Sequence, residues 1–203
     1  MPSNDEPPSE PAARRRWSSD VDRAQSAAHK IAQTAAVYAA HVDPWHLSRE
    51  HARFAATNRI AEARFGRVGR LLEIGCGEGY QSVWLARLAD RLVGVDISPD
   101  ALARAAALVP GARFLIASLP ALELPEGTAP FDLVAACEVL YVADDIGVAI
   151  RRMRELAPRG LVTAMASKWR RFGPAVEGLP GLVHDRIEAD GHVWRVVTWS
   201  ETS

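Results

Sequence analysis

The sequence predicts an α/β protein: a doubly wound, mostly parallel sheet of about seven strands that closes in an antiparallel C-terminal hairpin. Three observations carry this. Apolar runs of strand length alternate with helix-length stretches between residues 70 and 166. The first run, Leu71-Leu72-Glu73-Ile74, ends in Gly75-Cys76-Gly77-Glu78-Gly79, and the next, Leu92-Val93-Gly94-Val95, ends in Asp96. A strand, a tight glycine turn and a second strand closed by an acid form a βαβ unit. Finally, two strand-like runs near the C-terminus are joined by Asp190-Gly191, a strong hairpin signal.

The elements follow in order. Residues 1–19 are rich in Pro, Ser, Glu and Arg and nearly free of aliphatic side chains, so a disordered tail is expected there. Residues 20–203 then read as one domain, with a helical lid over about 20–66. Val21 to about Ala40 is Ala-rich and favours a helix, broken at Asp43-Pro44. A second helix is expected from Ser48, which can cap it, to Phe65, with Phe54, Asn58, Ala61 and Phe65 on one face. Strands are placed near 70–75, 91–96, 112–116, 131–137 and 160–166, and helices near 79–89, 99–109 and 144–157. Ser98-Pro99-Asp100 supplies a cap, a first-turn proline and an early acid. Pro158-Arg159-Gly160 stops the last of these helices. Residues 164–181 show little regular pattern, and the hairpin covers Leu182–Ala189 and His192–Ser200.

Composition excludes several classes of function. With 203 residues the chain can bury a sizeable core, and a formal net charge of −1 gives no reason to expect a polyanionic partner. No nucleic-acid partner is therefore expected. No run approaches membrane-spanning length, and the N-terminus lacks an apolar signal core. Cys76 and Cys137 lie near strand ends and read as reduced thiols of a cytoplasmic protein. Neither a C-x-x-C pair nor a metal-spaced His cluster is present, so no metal is expected. Oligomeric state is not legible.

The glycine spacing bears on the ligand. A dinucleotide fingerprint starting at Gly75 would place its third glycine at Tyr80; here the third glycine is Gly79, giving E-x-G-x-G-x-G from Glu73. Asp96 lies 21 residues after Gly75, where a carboxylate can accept from ribose hydroxyls. Glu73 near the loop suits a ligand carrying an ammonium and a sulfonium and would repel a pyrophosphate. These residues resemble the first motif of the class I S-adenosylmethionine (SAM) methyltransferases, whose Rossmann-like sheet inserts its last strand antiparallel beside the fifth. The resemblance implies SAM as cofactor and S-adenosyl-L-homocysteine (SAH) as product. It assigns Glu73, Gly75, Cys76, Gly77, Gly79 and Asp96 to cofactor binding.

The remaining strand tips follow the rule that ligands of open α/β sheets lie beyond the carboxyl ends of the strands. Ile97 can pack on the adenine ring or into the core. At the third tip the family often carries an Asp for the adenine amino group. Here Ser118 stands instead, able to accept one hydrogen bond or simply to turn the chain, and the Leu119 amide can also read the ring. The fourth tip, Ala136-Cys137-Glu138-Val139-Leu140-Tyr141, resembles the family's motif after the fourth strand. Cys137 would face the cofactor. Glu138 could attract a cationic amine or take its proton, or cap the next turn. Tyr141 could wall the acceptor pocket or fill the core. Trp45 could cover the mouth of the site or staple helix to core. His46 or His51 could act as a base or lie at the surface.

Asp43-Pro44-Trp45, Ser48-Arg49-Glu50, the glycine loop and Glu138-Val139-Leu140-Tyr141 together resemble the nodulation N-methyltransferase group, small single-domain enzymes acting on the amine of a chitooligosaccharide. That group usually continues with a second Tyr where this chain has Val142, so the resemblance carries over the chemistry and not the acceptor. The expectation is methyl transfer to a small-molecule acceptor, an amine ahead of a hydroxyl. Glu138 and Tyr141 are the candidate catalytic residues, and Trp45, His46 and Tyr141 the candidate substrate contacts. A nucleic-acid or protein methyltransferase lacks support, because the Asn/Asp-Pro-Pro-aromatic motif for planar amines is absent after the fourth strand. A non-catalytic SAM-binding protein would carry the same glycines and Asp96, and a dehydrogenase would also carry a glycine-rich turn after its first strand.

Overall fold

The computed structural model describes residues 29, 31–119, 122–128, 130–177 and 179–201. The expected tail and the first part of the first helix lie outside them. Seven strands form one sheet: β1 (Val68–Ile74), β2 (Ala89–Asp96), β3 (Arg113–Ile116), β4 (Leu133–Cys137), β5 (Arg159–Met165), β6 (Leu182–Ala189) and β7 (His192–Ser200). Their order is β3-β2-β1-β4-β5-β7-β6. The first five run parallel, and β7 enters antiparallel between β5 and β6. The chain therefore reverses strand order between β1 and β4, and the tips of those two strands face one crevice.

The helices are α1 (residues 31–40), α2 (His51–Phe65), α3 (Ser82–Leu85), α4 (Pro99–Leu108), α5 (Ile146–Leu156) and α6 (Trp169–Val176). Parallel strands buried on both faces need apolar side chains in both phases. On one face Leu72, Ile74, Val93, Val134, Ala136 and Val162 pack with Ile150 and Met153 of α5 and Phe172 of α6. On the other, Leu71, Leu92, Leu133, Ala135 and Leu161 pack with Ala61 of α2 and Leu85 of α3. Each Val, Leu, Ile, Met or Phe side chain so buried contributes roughly 1.5–3 kcal/mol relative to exposure. Trp199 of β7 lies over Gly160 of β5, its register partner, where any Cβ would collide with the ring. That glycine lets the antiparallel strand sit flush against the parallel ones.

Three local expectations are corrected. The helix expected over 79–89 is a single α-turn, because Gly79 turns in a left-handed conformation and β2 already begins at Ala89. Trp84, Arg87 and Leu88 then bond back three residues rather than four, to Gln81, Trp84 and Leu85. Ser48 does not cap α2; Glu50 precedes the helix without a side-chain cap, and Ser48 sits in a 3-10 turn, Leu47–Arg49. That turn is held by Asp43, whose carboxylate accepts from the Leu47 and Ser48 amides at 2.6 and 3.2 Å. Residues 164–181 hold α6, which buries Phe172, Gly173 and Val176; Gly173-Pro174 disguises it in the sequence. Two local expectations hold: Ser98 caps α4 by accepting from the Ala101 amide at 3.2 Å, and the hairpin strands coincide with those expected.

Candidate active site

The crevice is built at the carboxyl ends of β1, β2, β4 and β5. Gly75, Gly77 and Gly79 have φ of 68, 53 and 86°. At Gly79 a Cβ would stand 3.0 Å from Ala105 of α4, so only glycine lets α4 close on the loop. The Gly77 amide donates to Asp96 Oδ2 at 2.9 Å and the Ser98 amide to Oδ1 at 3.0 Å. Burial raises the Asp96 carboxyl above its ordinary range, against the pull of these amides. Loop and carboxylate therefore form one unit, with lone pairs of Asp96 still able to accept. Ile97 beside it is half-buried.

Two side chains beside the turn are buried in the fold, one on the loop and one on β1. The Cys76 sulfur packs towards Gly94 of β2, and burial pushes its thiol well up, so Cys76 offers a ligand only its backbone. Glu73 is buried under α3 and accepts from the Ser82 hydroxyl. Burial lifts its carboxyl to about 8. At the third tip Ser118 and Leu119 are half-buried, and Leu119 packs against the core.

The fourth tip brings acid and aromatic together. Glu138 sits in a left-handed conformation (φ 59°), uncommon for a residue with a side chain and concentrated at functional sites. Its carboxylate accepts from Thr163 Oγ1 at 3.2 Å and from the Met165 amide at 3.1 Å, both on β5. It thus bonds the neighbouring strand instead of capping the next turn. Burial raises its carboxyl, and nearby Arg53 works against this. Tyr141, half-buried in the 3-10 turn Leu140–Val142, has its phenol pushed up to about 12 by burial and by the Glu138 charge. Lys168 lies 5.7 Å from its ring centre. Cys137, in register with Thr163, is also pushed up to about 12, chiefly by burial.

Sequence reasoning missed Arg53. It stands on the buried face of α2, 2 % exposed, ion-paired to Glu50 and stacked 4.5 Å from the Phe54 ring centre. Its Nη1 donates to Gln81 at 3.4 Å. Its positive field lowers the acids Glu73 and Glu138 as well as Cys137 and Tyr141. The available signal was its phase: Arg53 recurs with Phe54, Thr57 and Ala61 on the core side of the helix, where a charge demands a partner.

Trp45 is half-exposed, and its Nε1 donates to the Tyr38 hydroxyl at 3.1 Å. His46 is exposed in the same loop (φ 56°), and His51 opens α2 edge-on to Phe54. Among the described residues no group of three or more His, Cys, Asp or Glu could hold a metal ion, and no helix is long and apolar enough to cross a membrane.

Comparisons with known proteins agree with this geometry. Residues 72–164 match a family described as a methyltransferase domain. A ubiquinone biosynthesis O-methyltransferase of Azorhizobium caulinodans is 35 % identical over 114 residues, covering 54 % of this chain and 45 % of its own. Nodulation protein S of Bradyrhizobium diazoefficiens is 32 % identical over 107 residues, 51 % of each chain. The chain thus spans about half the length of the curated relatives it matches. The crystal structure of N-methyltransferase NodS from Bradyrhizobium japonicum WM9 in complex with SAH superposes with a TM-score of 0.69 at 23 % identity, covering 84 % of this chain and 98 % of that one. Glycine loop, acid-closed second strand, inserted antiparallel strand and family match converge: residues 72–164 match a methyltransferase domain, and the chain has the Rossmann-like fold of the methyltransferase structures it superposes on.

Proposed function

We propose that this protein transfers a methyl group from SAM to a small-molecule acceptor, with an amine as the acceptor group. The observation that carries the reading is a pair of acids at the two tips that flank β1: buried Asp96 at the end of β2, bonded to the Gly77 amide, and half-buried Glu138 after β4, bonded to β5. The donor set fits an adenosyl cofactor. Asp96 would accept from the ribose, the glycine loop would pass beneath the methionyl part, and Arg53 offers a buried cation for its carboxylate. Ile97, Ser118 and Leu119 would border the adenine. When bound, SAM supplies the electrophilic methyl carbon.

What remains for the protein is placement and proton handling. Glu138 is held rigidly by Thr163 and Met165, so its carboxylate would attract an ammonium and take its proton before the nitrogen lone pair attacks. Tyr141 would wall the acceptor and exclude water, and Trp45 and His46 would lie at the entrance. Residues 20–203 would act as one domain with its helical lid over about 20–66, of which the segment 31–46 would cover the cradle.

A hydroxyl acceptor is the second reading, favoured by relatives named as ubiquinone biosynthesis O-methyltransferases. The test is turnover of purified protein with SAM against paired panels of small amines and hydroxyl compounds, with SAH followed by mass spectrometry. Methylated amines support the reading. Products confined to the hydroxyl panel select the second, and SAM binding without turnover on either panel overturns both.

A further inference from the structure

We propose that Glu78 and Arg104 are positioning residues that latch residues 31–46 over the cofactor cradle, so that cofactor release waits on this pair. The inference rests on the SAM reading above. Glu78 stands between Gly77 and Gly79 and is 3 % exposed. Both its oxygens accept the Asp43 amide, at 3.0 and 2.9 Å. Arg104 of α4 places Nε 2.6 Å from Glu78 Oε1, while its Nη2 donates to the Tyr38 and His41 carbonyls at 2.6 and 3.2 Å. Those carbonyls end α1, where backbone acceptors lack helical partners and the helix dipole favours a cation. One guanidinium therefore ties the lid helix to a carboxylate of the glycine loop itself.

The latch holds one group at the cradle. A Cβ at Gly77 would stand 2.8 Å from the Tyr38 hydroxyl, so that hydroxyl lies against the face that glycine leaves open. It accepts from Trp45 Nε1 and retains a proton to donate. Asp96 and Glu78 both act on it electrostatically. A ligand lying along Gly77 with its ribose at Asp96 meets Tyr38 from above. The linking loop does not hold its own shape cheaply: Asp43 and His46 both adopt left-handed conformations, φ 49 and 56°. The Glu78–Asp43 bonds are what the loop gains in exchange. A lysine at position 104 could reach one of these acceptors but not all of them, because it lacks the planar fork.

The test measures SAH dissociation by stopped flow, together with hydrogen exchange of residues 31–46. In Glu78→Gln and Arg104→Gln, SAH is expected to leave at least about tenfold faster, with association changed less and the double variant no worse than the poorer single one. Arg104→Lys should recover only part of the loss. Saturating SAH should slow exchange across 31–46 in the wild type, a readout that stands even where a variant fails to fold. Dissociation within twofold of wild type in both folded single variants would overturn the latch. So would exchange across 31–46 that bound SAH leaves unchanged. Undetectable SAH binding to the wild-type protein would instead sink the cofactor reading, and the latch with it.

Discussion

The Gly77 amide and Asp96 Oδ2, 2.9 Å apart, bind the turn after β1 to the tip of β2. Neither strand pairing nor core packing requires this bond. It aligns a loop stripped of side chains with a carboxylate that still has lone pairs to offer. Removing Asp96 should therefore disturb the ligand directly and loosen the loop that carries it. Asp96→Ala is expected to weaken SAM binding by about 1–3 kcal/mol, the scale of a lost charged hydrogen bond. Isothermal titration calorimetry checks it, and an unchanged dissociation constant would remove Asp96 from the site.

Glu138 should leave its mark on the pH profile. Burial raises its carboxyl, so the base form required for proton uptake is lost at a higher pH than for a free carboxylate. Turnover should fall as pH drops through that raised value and plateau above it. Glu138→Gln should flatten this acidic limb and lower kcat by about 10²-fold. A limb that survives intact in the variant belongs to some other group.

A stability consequence follows at Glu73. Its folded-state carboxyl lies at about 8, raised by burial. Unfolded, it would titrate near the ordinary value of about 4.3. Between those values the native state holds a proton that the unfolded chain releases. Its contribution is thus fully present at acid pH and is lost as pH rises towards 8. Glu73→Gln, which keeps the neutral partner for Ser82, should reduce the loss of stability between about pH 5 and about pH 9. Urea unfolding of both proteins at the two values decides; equal slopes would mean that Glu73 is ionised in the fold.

Gly160→Ala should cost about 1–3 kcal/mol through overpacking against Trp199, whose ring covers the glycine. The strain falls between β5 and β7, so unfolding should shift together with Trp fluorescence. Wild-type stability in the variant would show that β7 has room to move off β5.

How much of this was legible in the sequence divides by the range of the interaction concerned. Apolar runs placed β1, β2, β4 and β5 because a strand buried on both faces must be largely apolar, whatever its neighbours. The glycine turn, Asp96, the Ser98 cap and the Asp190-Gly191 hairpin were also legible, since each depends on a backbone conformation that particular residues favour locally. The shortening of α3 was not, because it follows from where β2 must begin beside β1. Nor was α6, whose burial under β5 and α5 outweighs an interior Gly-Pro.

The site divides in the same way. Glu73 and Glu138 stood out as acids at strand ends. That one is sealed under α3 and bonded to Ser82, while the other is braced against β5, was decided only when the elements packed. Arg53, Tyr38 and Arg104 carry no motif, Glu78 fills an unspecified position of the glycine motif, and their partners lie up to 66 residues away in the chain. Backbone preference and the need to bury apolar surface act over a few residues and can be read along the chain. Charge pairing acts through space, and space exists only once the chain has folded.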